Sequence, residues 1–343
     1  MYLRTADTML YEGKMTQPRL SVVIPTRDTR ELTLNCLAAL WLCTPQPDEV
    51  IVVDDGGTDS TAIAVVRKYP RYIVVRLPRN EGFASAANHG IARASGNIIL
   101  LLNSDTQIEP GGLATLLETF ESKPELGIAG AALRDPSGAP QWSGGPTPSP
   151  LWLFALASGI PSLMGRIPVW RRFRSPSGSE GGPVDWVAGT AMAIRRQVWE
   201  AVGPFDPGYR FYCQDLDLCM KAVKAGWKIE TLPEFRVLHH LGGTISSTGG
   251  AVGSSHPELM WSDLLRFARK TWGSGRARKT DRALRLGGRL RLLGRRLVDP
   301  LVPDDHKDDW QAATAAYADA LRALASSSVR DHRAANRRRI ARS

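Results

Sequence analysis

Short apolar runs rich in β-branched residues recur along about the first hundred residues, and each run alternates with a segment of helical periodicity. The runs are residues 21–25, 50–53, 72–77 and 97–102, and the helical segments are residues 30–42, 59–69 and 82–94. Such runs suit strands that are buried on both faces because helices cover them. The alternation predicts an α/β fold, with a Rossmann-like and mostly parallel sheet that carries helices on both faces.

The chain is expected to divide into three parts. Residues 1–19 form an N-terminal tail, residues 20–246 an α/β domain, and residues 256–343 a basic helical extension, after a Gly/Ser/Thr linker at 242–255. Within the α/β domain, residues 134–183 are rich in Pro, Gly and Ser and predict an irregular insertion. A strand over 187–194, a helix over 214–226 and a strand over 235–238 are expected after it.

Two carboxylates stand where the second apolar run ends. Asp54 and Asp55 follow this run and are themselves followed by two glycines. In open α/β sheets, ligands bind at the carboxyl ends of the strands. The two carboxylates can therefore accept hydrogen bonds from a nucleoside base or from ribose hydroxyls. A strand-to-helix turn that uses Asp and Gly only for its backbone conformation is the alternative.

A second polar cluster follows the fourth run. Asn103, Ser104 and Asp105 resemble an Asp-x-Asp motif with Asn in its first position. Asp105 would supply a hard oxygen ligand to a divalent cation, which can act as a Lewis acid on a departing diphosphate. The alternative is that Asp105 caps a helix over 110–120.

A third acidic cluster opens the helix predicted over 214–226. Asp215 is the candidate general base, because a carboxylate close to an acceptor hydroxyl can remove its proton. The helix N-terminus by itself would favour the ionised form and lower the basicity of this group. Asp217 is interpreted as a cap or a positioning residue, and the whole cluster is open to a capping interpretation.

Two histidines end the strand predicted over 235–238. His239 is the candidate to bind the metal or to contact the diphosphate, and His240 could exchange roles with it. The alternative is that the pair forms a polar edge of the core.

The cysteines and the apolar runs bear on where the protein works. The four cysteines show neither CxxC spacing nor the density of a disulfide scaffold, which indicates a reducing compartment. No signal-peptide pattern is present at the start of the sequence, and no apolar run approaches the ~18–20 residues that span a bilayer. We therefore expect a cytoplasmic protein. The apolar stretch at 151–170 could line an acceptor channel, enter lipid or form a buried hairpin.

The net charge of +10 is concentrated near the C-terminus. Twelve Lys or Arg and one acid, Asp281, lie between residues 266 and 296. Four leucines repeat there along one helix face, and five arginines occupy the remaining surface: Leu286, Leu290, Leu293 and Leu297, and Arg285, Arg289, Arg291, Arg295 and Arg296. The pattern predicts either a helix at the surface of an anionic membrane, on the inner face of the cell membrane, or a helix docked on the α/β domain with a solvated Arg face. A last helix, with an apolar face that starts at Trp310, is expected to pack internally or to form a homodimer contact.

Read in order, these motifs resemble the family 2 glycosyltransferases of the GT-A fold, in particular their bacterial rhamnosyltransferase-like branch. The matching segments lie within residues 22–27, 53–59, 79–90, 101–105, 185–206, 214–219 and at His239, and the resemblance covers roughly residues 20–246. It implies inverting single-displacement transfer of a sugar, such as rhamnose, from a dTDP- or UDP-sugar to a glycan or lipid-linked acceptor, with Mg²⁺ or Mn²⁺. Gln214 departs from the family, which usually has Glu there.

The resemblance also implies a role for each matched residue. Asp215 would be the base, and Asp105 and His239 would bind the metal. The nucleotide-sugar site is predicted at Pro25, Thr26, Arg27, Asp54, Asp55, Asn80, Gly82, Asn88, Asn103, Ser104, Trp186 and Gly189. The irregular insertion at 134–183 would lie on the acceptor side.

Two other functions compete with catalysis. A non-catalytic domain that only binds nucleotide sugars is suggested by Gln214. A basic scaffold that binds nucleic acid or membrane is suggested by the arginine clusters. Nucleic-acid binding is disfavoured, because the net positive charge of the chain lies after residue 250 and the sequence has no zinc knuckle or aromatic RNA-binding signature.

Overall fold

The computed structural model describes residues 20–160, 178, 180–240 and 256–340, with side chains up to residue 325. The predicted N-terminal tail and the linker at 242–255 lie outside these residues. The first half of the fold comprises β1 Leu20–Thr26, α1 Arg30–Trp41, β2 Glu49–Asp54, α2 Thr61–Lys68, β3 Ile73–Arg76, α3 Phe83–Ile91, β4 Ile98–Leu102, β5 Thr106–Ile108, α4 Gly112–Ser122 and β6 Leu126–Arg134.

The second half adds short strands and long helices. It comprises β7 Gly144–Gly145, α5 Pro150–Ser158, β8 Gly182–Pro183, β9 Trp186–Val187, β10 Ala191–Arg195, α6 Arg196–Val202, α7 Gln214–Lys224, β11 Lys228–His239, α8 Pro257–Val298 and α9 Lys307–Ile340. Two short 3₁₀ turns, Asp299–Leu301 and Asp304–His306, connect the last two helices.

One large sheet organises the described residues. Its strand order is β3-β2-β1-β4-β10-β6-β11-β5, with β8 paired to β11. β1 to β4 are mutually parallel, β10 runs antiparallel to both β4 and β6, and β6 is parallel to β11. Six strands therefore point the same way, so the predicted mostly parallel α/β fold is confirmed. The C-terminal helical extension is present as α8 and α9.

Alternate residues of the central strands enter two separate cores. Val22 packs with α1 and α4 on one side of the sheet, whereas Val23 packs with α3 and α7 on the other side. Both side chains are fully buried, and burial of a valine contributes about 1.5–3 kcal/mol to stability. Helices on both faces thus explain why the strands read as continuous apolar runs.

β6 was not predicted, because two glycines and three alanines give its sequence low β propensity. Close packing explains the glycines. A Cβ at Gly127 would lie 2.7 Å from Trp227 Cβ, and one at Gly130 would lie 2.6 Å from Val187 Cβ. The strand is thus selected by its neighbours rather than by its own propensity.

The C-terminal helices pack against the α/β domain through a third apolar cluster. Trp261 and Leu284 of α8 and Leu324 of α9 are buried together with Leu153 of α5 and Leu216 of α7. The apolar face of the last helix therefore packs within the chain. The part of the 151–170 stretch that the structure describes is a helix rather than a hairpin, and residues 161–170 lie outside the described residues.

The orientation of α8 differs from the predicted solvated Arg face. Arg285, Arg291 and Arg295 turn inward and donate hydrogen bonds to backbone carbonyls of Leu324, of Leu156 and Ala157, and of Trp310, respectively. The leucines turn outward: the exposed fractions of Leu286, Leu290, Leu293 and Leu297 are 61, 39, 54 and 71 %. We call these four side chains the leucine face.

Glycine explains why the opposite side of α8 can dock so closely. A Cβ at Gly287 would lie 2.7 Å from the Phe154 carbonyl oxygen of α5. A Cβ at Gly288 would lie 2.6 Å from the ring of Trp261. Across the described residues, no helix combines the length and the apolar character that a membrane span needs.

Candidate active site

The ends of three parallel strands bring the predicted site residues to one edge of the sheet. Asp54 ends β2, Asn103 follows β4, and His239 ends β11. The antiparallel strand β10 begins at the same edge, where Ala191 pairs with Leu102 and the Thr190 carbonyl accepts a hydrogen bond from the Asn103 N–H. Residues that lie far apart in sequence therefore share one edge.

Asp105 and His239 face each other across this edge. Asp105 is buried, and its Oδ1 lies 3.5 Å from His239 Nε2. A backbone hydrogen bond also connects the two segments, since the His240 N–H donates to the Asp105 carbonyl at 2.9 Å. β5 separates Asp105 from α4, whose N-cap is Gly111. The helix-capping alternative for Asp105 is therefore wrong.

A glutamine fixes the tautomer of His239. The Gln141 side-chain amide donates to the His239 carbonyl at 3.0 Å, which directs Gln141 Oε1 to His239 Nδ1 at 2.8 Å. Because Oε1 can only accept, Nδ1 carries the proton and the neutral ring presents a lone pair at Nε2. Sequence analysis missed Gln141, which lies in the irregular insertion and carries no motif.

The Asp105–His239 pair fits a divalent cation in its chemistry. A carboxylate oxygen and an imidazole lone pair that face each other at 3.5 Å are two possible ligands, and both donor types bind divalent cations. The described residues hold no cluster of three or more His, Cys, Asp or Glu that could bind a metal. A cation held here would therefore need further ligands from a bound molecule, as Mg²⁺ commonly takes from phosphates.

The Asn103-Ser104 segment is tied to the first strand. Ser104 Oγ lies 3.0 Å from Thr29 Oγ1, which in turn lies 2.8 Å from Thr26 Oγ1. These hydroxyls are buried, so the Thr26 and Ser104 side chains hold β1 and the segment after β4 together beneath the candidate site. Asn103 Oδ1 is also buried, and no described residue gives it a hydrogen bond.

Asp54 and Asp55 organise two adjoining loops. Asp54 Oδ1 accepts from the Gly57 N–H at 2.8 Å, whereas the two oxygens of Asp55 accept from the N–H groups of Glu81 and Gly82 at 2.7 and 2.9 Å. Burial raises the pKa of Asp54. The turn role proposed as the alternative is therefore present in the structure, and it positions the loop of Asn80, whose Oδ1 accepts from the Gly82 N–H.

Three further predicted residues lie near these loops. Pro25 pairs with Val53 in the sheet, and Arg27 Nε lies 3.7 Å from Asp28 Oδ2. The amide of Asn88 both donates to the Phe205 carbonyl and accepts from the Phe205 N–H, at 2.9 and 3.0 Å. Asn88 therefore braces α3 against the segment before α7.

Asp215 lies in the first turn of α7 and is partly buried. Its Oδ2 accepts from the Gly189 N–H at 3.0 Å, and its Oδ1 accepts from the Leu216 N–H at 2.8 Å. Burial raises the pKa of Asp215, with an effect larger than that of the hydrogen bonds that lower it. Burial thus outweighs the backbone hydrogen bonds of Gly189 and Leu216 in its effect on the pKa of this carboxyl. Trp186, which precedes Gly189, donates from its indole nitrogen to the Pro146 carbonyl.

A carboxylate from α8 supports the loop before Asp215. Asp263 is 2 % exposed and accepts backbone hydrogen bonds from Arg210, Phe211 and Tyr212 at 2.9–3.2 Å. Lys270, also on α8, lies 2.8 Å from Asp217 and 2.9 Å from Asp206. Sequence analysis missed both residues, since an Asp or Lys within a charged helix gives no local signal.

Gln214 adjoins Asp215 and is buried. Its side-chain nitrogen donates to the Phe211 carbonyl at 2.9 Å, whereas its Oε1 has no hydrogen-bond partner among the described residues. The amide thus stabilises the same loop as Asp263.

Comparison with known proteins gives three relevant similarities. Residues 21–199 match the family described as glycosyl transferase family 2. The N-acetylglucosaminyl-diphospho-decaprenol L-rhamnosyltransferase of Mycobacterium tuberculosis is 32% identical over 223 residues, which cover 60% of this chain and 70% of that protein. A mannosyltransferase from Pyrobaculum calidifontis, solved with GDP-Man and Mn²⁺, has a TM-score of 0.55 at 16% identity and covers 92% of this chain and 88% of its own. The structural likeness concerns the fold.

Proposed function

The chain belongs to glycosyltransferase family 2, and we propose that it moves a sugar from a nucleoside diphosphate donor to a glycan or lipid-linked acceptor hydroxyl with inversion at the anomeric carbon. The observation that carries this proposal is the convergence, at one sheet edge, of the facing acceptors of Asp105 and His239 with the Asp215 carboxylate. Asp105 and His239 are suited to a cation that accompanies a bound diphosphate, and the Asp215 carboxylate is suited to an acceptor hydroxyl.

Asp215 is proposed as the general base. It would take the proton of the acceptor hydroxyl while that oxygen bonds to the anomeric carbon and the sugar–diphosphate bond breaks. Burial favours this role because a raised pKa makes the carboxylate a stronger base. The N–H groups of Gly189 and Leu216 fix the direction of its two oxygens.

Asp105 and His239 are proposed as the protein ligands of Mg²⁺ or Mn²⁺. Bound there, the cation would act as a Lewis acid toward the leaving diphosphate. Gln141 would hold His239 in the tautomer that ligation needs, as partners of metal-binding histidines commonly do.

The donor would lie along the ends of β1, β2 and β4. The proposed contacts are the residues predicted from the motifs: Pro25, Thr26, Arg27, Asp54, Asp55, Asn80, Gly82, Asn88, Asn103, Ser104, Trp186 and Gly189. The side chains of Thr26, Ser104 and Asn88 already form hydrogen bonds within the protein, so their contribution would be to support the donor site. The orphaned Oδ1 of Asn103 is available for a direct contact.

The proposed donor is dTDP-rhamnose, and a UDP-sugar is the other candidate. The support is the 32% identity to a mycobacterial protein named as a rhamnosyltransferase that acts on a decaprenol-linked N-acetylglucosamine. A lipid-linked acceptor of this kind would be met at the inner face of the cell membrane.

Donor turnover tests the proposal directly. The purified chain would be given dTDP-, UDP- and GDP-sugars with Mg²⁺ or Mn²⁺, and the released nucleoside diphosphate would be measured. Hydrolysis or transfer of one donor, lost with EDTA and with Asp215→Asn but kept in the exposed control Asp319→Asn, is expected. If no donor is turned over and none binds at equilibrium, a non-catalytic scaffold replaces this function.

A further inference from the structure

The leucine face of α8 is an apolar surface that the rest of the described chain does not cover. Its four side chains are 39–71 % exposed. Their spacing of four, three and four residues keeps them on one side of the helix over three turns. Scattered exposed leucines are common, whereas an aligned row on a soluble surface indicates an interaction site.

Exposed cations border the leucine face. Arg282, Arg289 and Arg296 are exposed and repeat every seven residues, three or four positions from the leucines. They therefore flank the leucines along the helix. The one acid between residues 266 and 296, Asp281, lies 2.8 Å from Arg285 and is paired with it. The surface thus joins an apolar row to a positive row.

The opposite side of α8 already supplies the packing that the fold needs. Arg285, Arg291 and Arg295 bond to backbone carbonyls there, and Gly287 and Gly288 allow close approach. The leucines take no part in this packing. Their exposure is therefore not explained by the attachment of α8 to the α/β domain.

Charge selects the occupant of this surface. A second copy that paired through the same face would bring two arginine rows together, at a cost in repulsion. Residues 161–177, which follow α5, contain four arginines and no acid in the sequence, so their charge does not complement the face either. A partner that is anionic and apolar at once matches both rows.

We propose that the leucine face and its three flanking arginines dock the protein onto the surface of an anionic phospholipid bilayer. Leucines would enter the boundary of the acyl chains while the arginines contact lipid phosphates. The same apolar cluster that buries Leu284 of α8 also includes Leu216, next to Asp215. Docking through α8 would therefore hold the candidate active site at a bilayer.

Vesicle binding of the full-length chain tests this proposal without any donor or acceptor. Sedimentation would be compared between vesicles of mixed phosphatidylglycerol and phosphatidylcholine and vesicles of phosphatidylcholine alone. Binding to the anionic vesicles, weakened by salt, is expected. Leu286→Gln with Leu293→Gln should weaken it at least about tenfold, and Arg289→Gln with Arg296→Gln should weaken it by roughly fivefold for each charge.

A matched control separates these effects from a general loss of apolar surface. Leu42 at the end of α1 is 81 % exposed and lies outside α8, so Leu42→Gln should leave vesicle binding unchanged. Equal binding by wild type and both double variants would overturn the proposal, as would no binding at all. A leucine-dependent dimer in sedimentation velocity, without vesicle binding, would identify the face as a self-association surface. Since no turnover is measured, this result is independent of the proposed transferase activity.

Discussion

The N–H of Gly189 donates a hydrogen bond to Asp215 Oδ2 at 3.0 Å. Gly189 lies just before β10, and β10 pairs with β4, the strand that leads to Asp105. The carboxylate at the start of α7 is therefore positioned by the strand that neighbours the candidate metal residues. One antiparallel strand pair thus sets the spacing between the two halves of the candidate site.

Replacement of Asp215 should separate activity from stability. Asp215→Asn is expected to lower kcat by roughly 10²–10⁴, the usual contribution of a general base, while donor binding stays unchanged. The folded-state pKa is raised, so the contribution of this carboxyl to stability is present below the unfolded pKa and is lost as pH rises through the folded value. At neutral pH the variant should therefore melt at the same or a higher temperature. A clear drop in Tm would show that the ionised group stabilises the fold.

The pH profile should report the same group. The base must be ionised, so kcat/KM is expected to fall as pH is lowered through a pKa above the usual range of an aspartate, because burial disfavours the charge. Steady-state rates across acidic and neutral pH would measure this limb. An acid limb that stays within the usual aspartate range would contradict a buried base at this position.

The candidate metal pair should control cation-dependent binding of nucleoside diphosphate. Calorimetry with dTDP or UDP, in the presence and absence of Mn²⁺, is expected to show tighter binding with the cation. Asp105→Asn and His239→Gln should each reduce the cation-dependent gain in affinity at least about tenfold. Loss of a residue that only hydrogen-bonds to a metal ligand already weakens metal binding by about this factor. His89→Gln, an exposed histidine on α3, serves as control and should retain the gain.

Asp263 should support the loop before Asp215 from a distance in sequence. Asp263→Ala removes the acceptor of three backbone N–H groups, and each group left without a partner costs about 1–3 kcal/mol. We expect the free energy of unfolding to drop by at least about 2 kcal/mol and kcat to fall more than donor affinity. The exposed carboxylate of Asp319 on α9 offers the comparison, since Asp319→Ala should change neither quantity.

Two glycines should respond to alanine in opposite directions. A Cβ at Gly90 would lie 2.4 Å from Val23 Cγ1 and 2.9 Å from Val53 Cγ2, so Gly90→Ala should destabilise the fold by about 1–3 kcal/mol. Gly294 on α8 has open space around the same position, and Gly294→Ala should stabilise by up to about 1 kcal/mol. Chemical denaturation of both variants would measure these shifts, and a stable Gly90→Ala would show that the sheet can move away from α3.

The sequence predicted those parts of the fold whose signal is local. The first four strands and three helices follow from apolar periodicity, and the carboxylates at the ends of the strands follow from the general position of ligands in α/β sheets. β6 was not predicted because its glycines are required by close contact with Trp227 and Val187, which are distant in sequence. The start of β11 was not predicted because Pro233 and two glutamates interrupt its apolar pattern.

The candidate site divides in the same way. Asp105, Asp215 and His239 stand in motifs, whereas Gln141 and Asp263 act through a single side chain that meets a distant backbone. No period or spacing marks such a residue. The sequence also did not predict that the leucines of α8 face outward. The inward side of α8 depends on hydrogen bonds from its arginines to backbone carbonyls of α5 and α9, which are distant in sequence.

The bond between Asp263 and residues 210–212 also sets an order of events during synthesis. The loop leaves the ribosome about fifty residues ahead of the carboxylate that accepts its N–H groups. A nascent chain that ends between residues 242 and 255 therefore contains the strands of the sheet and Asp215 but lacks the Asp263 carboxylate that orders the loop before Asp215. Completion of the candidate active site thus waits for α8 to emerge, and a chain released early would carry the motifs without the carboxylate that orders the loop before Asp215.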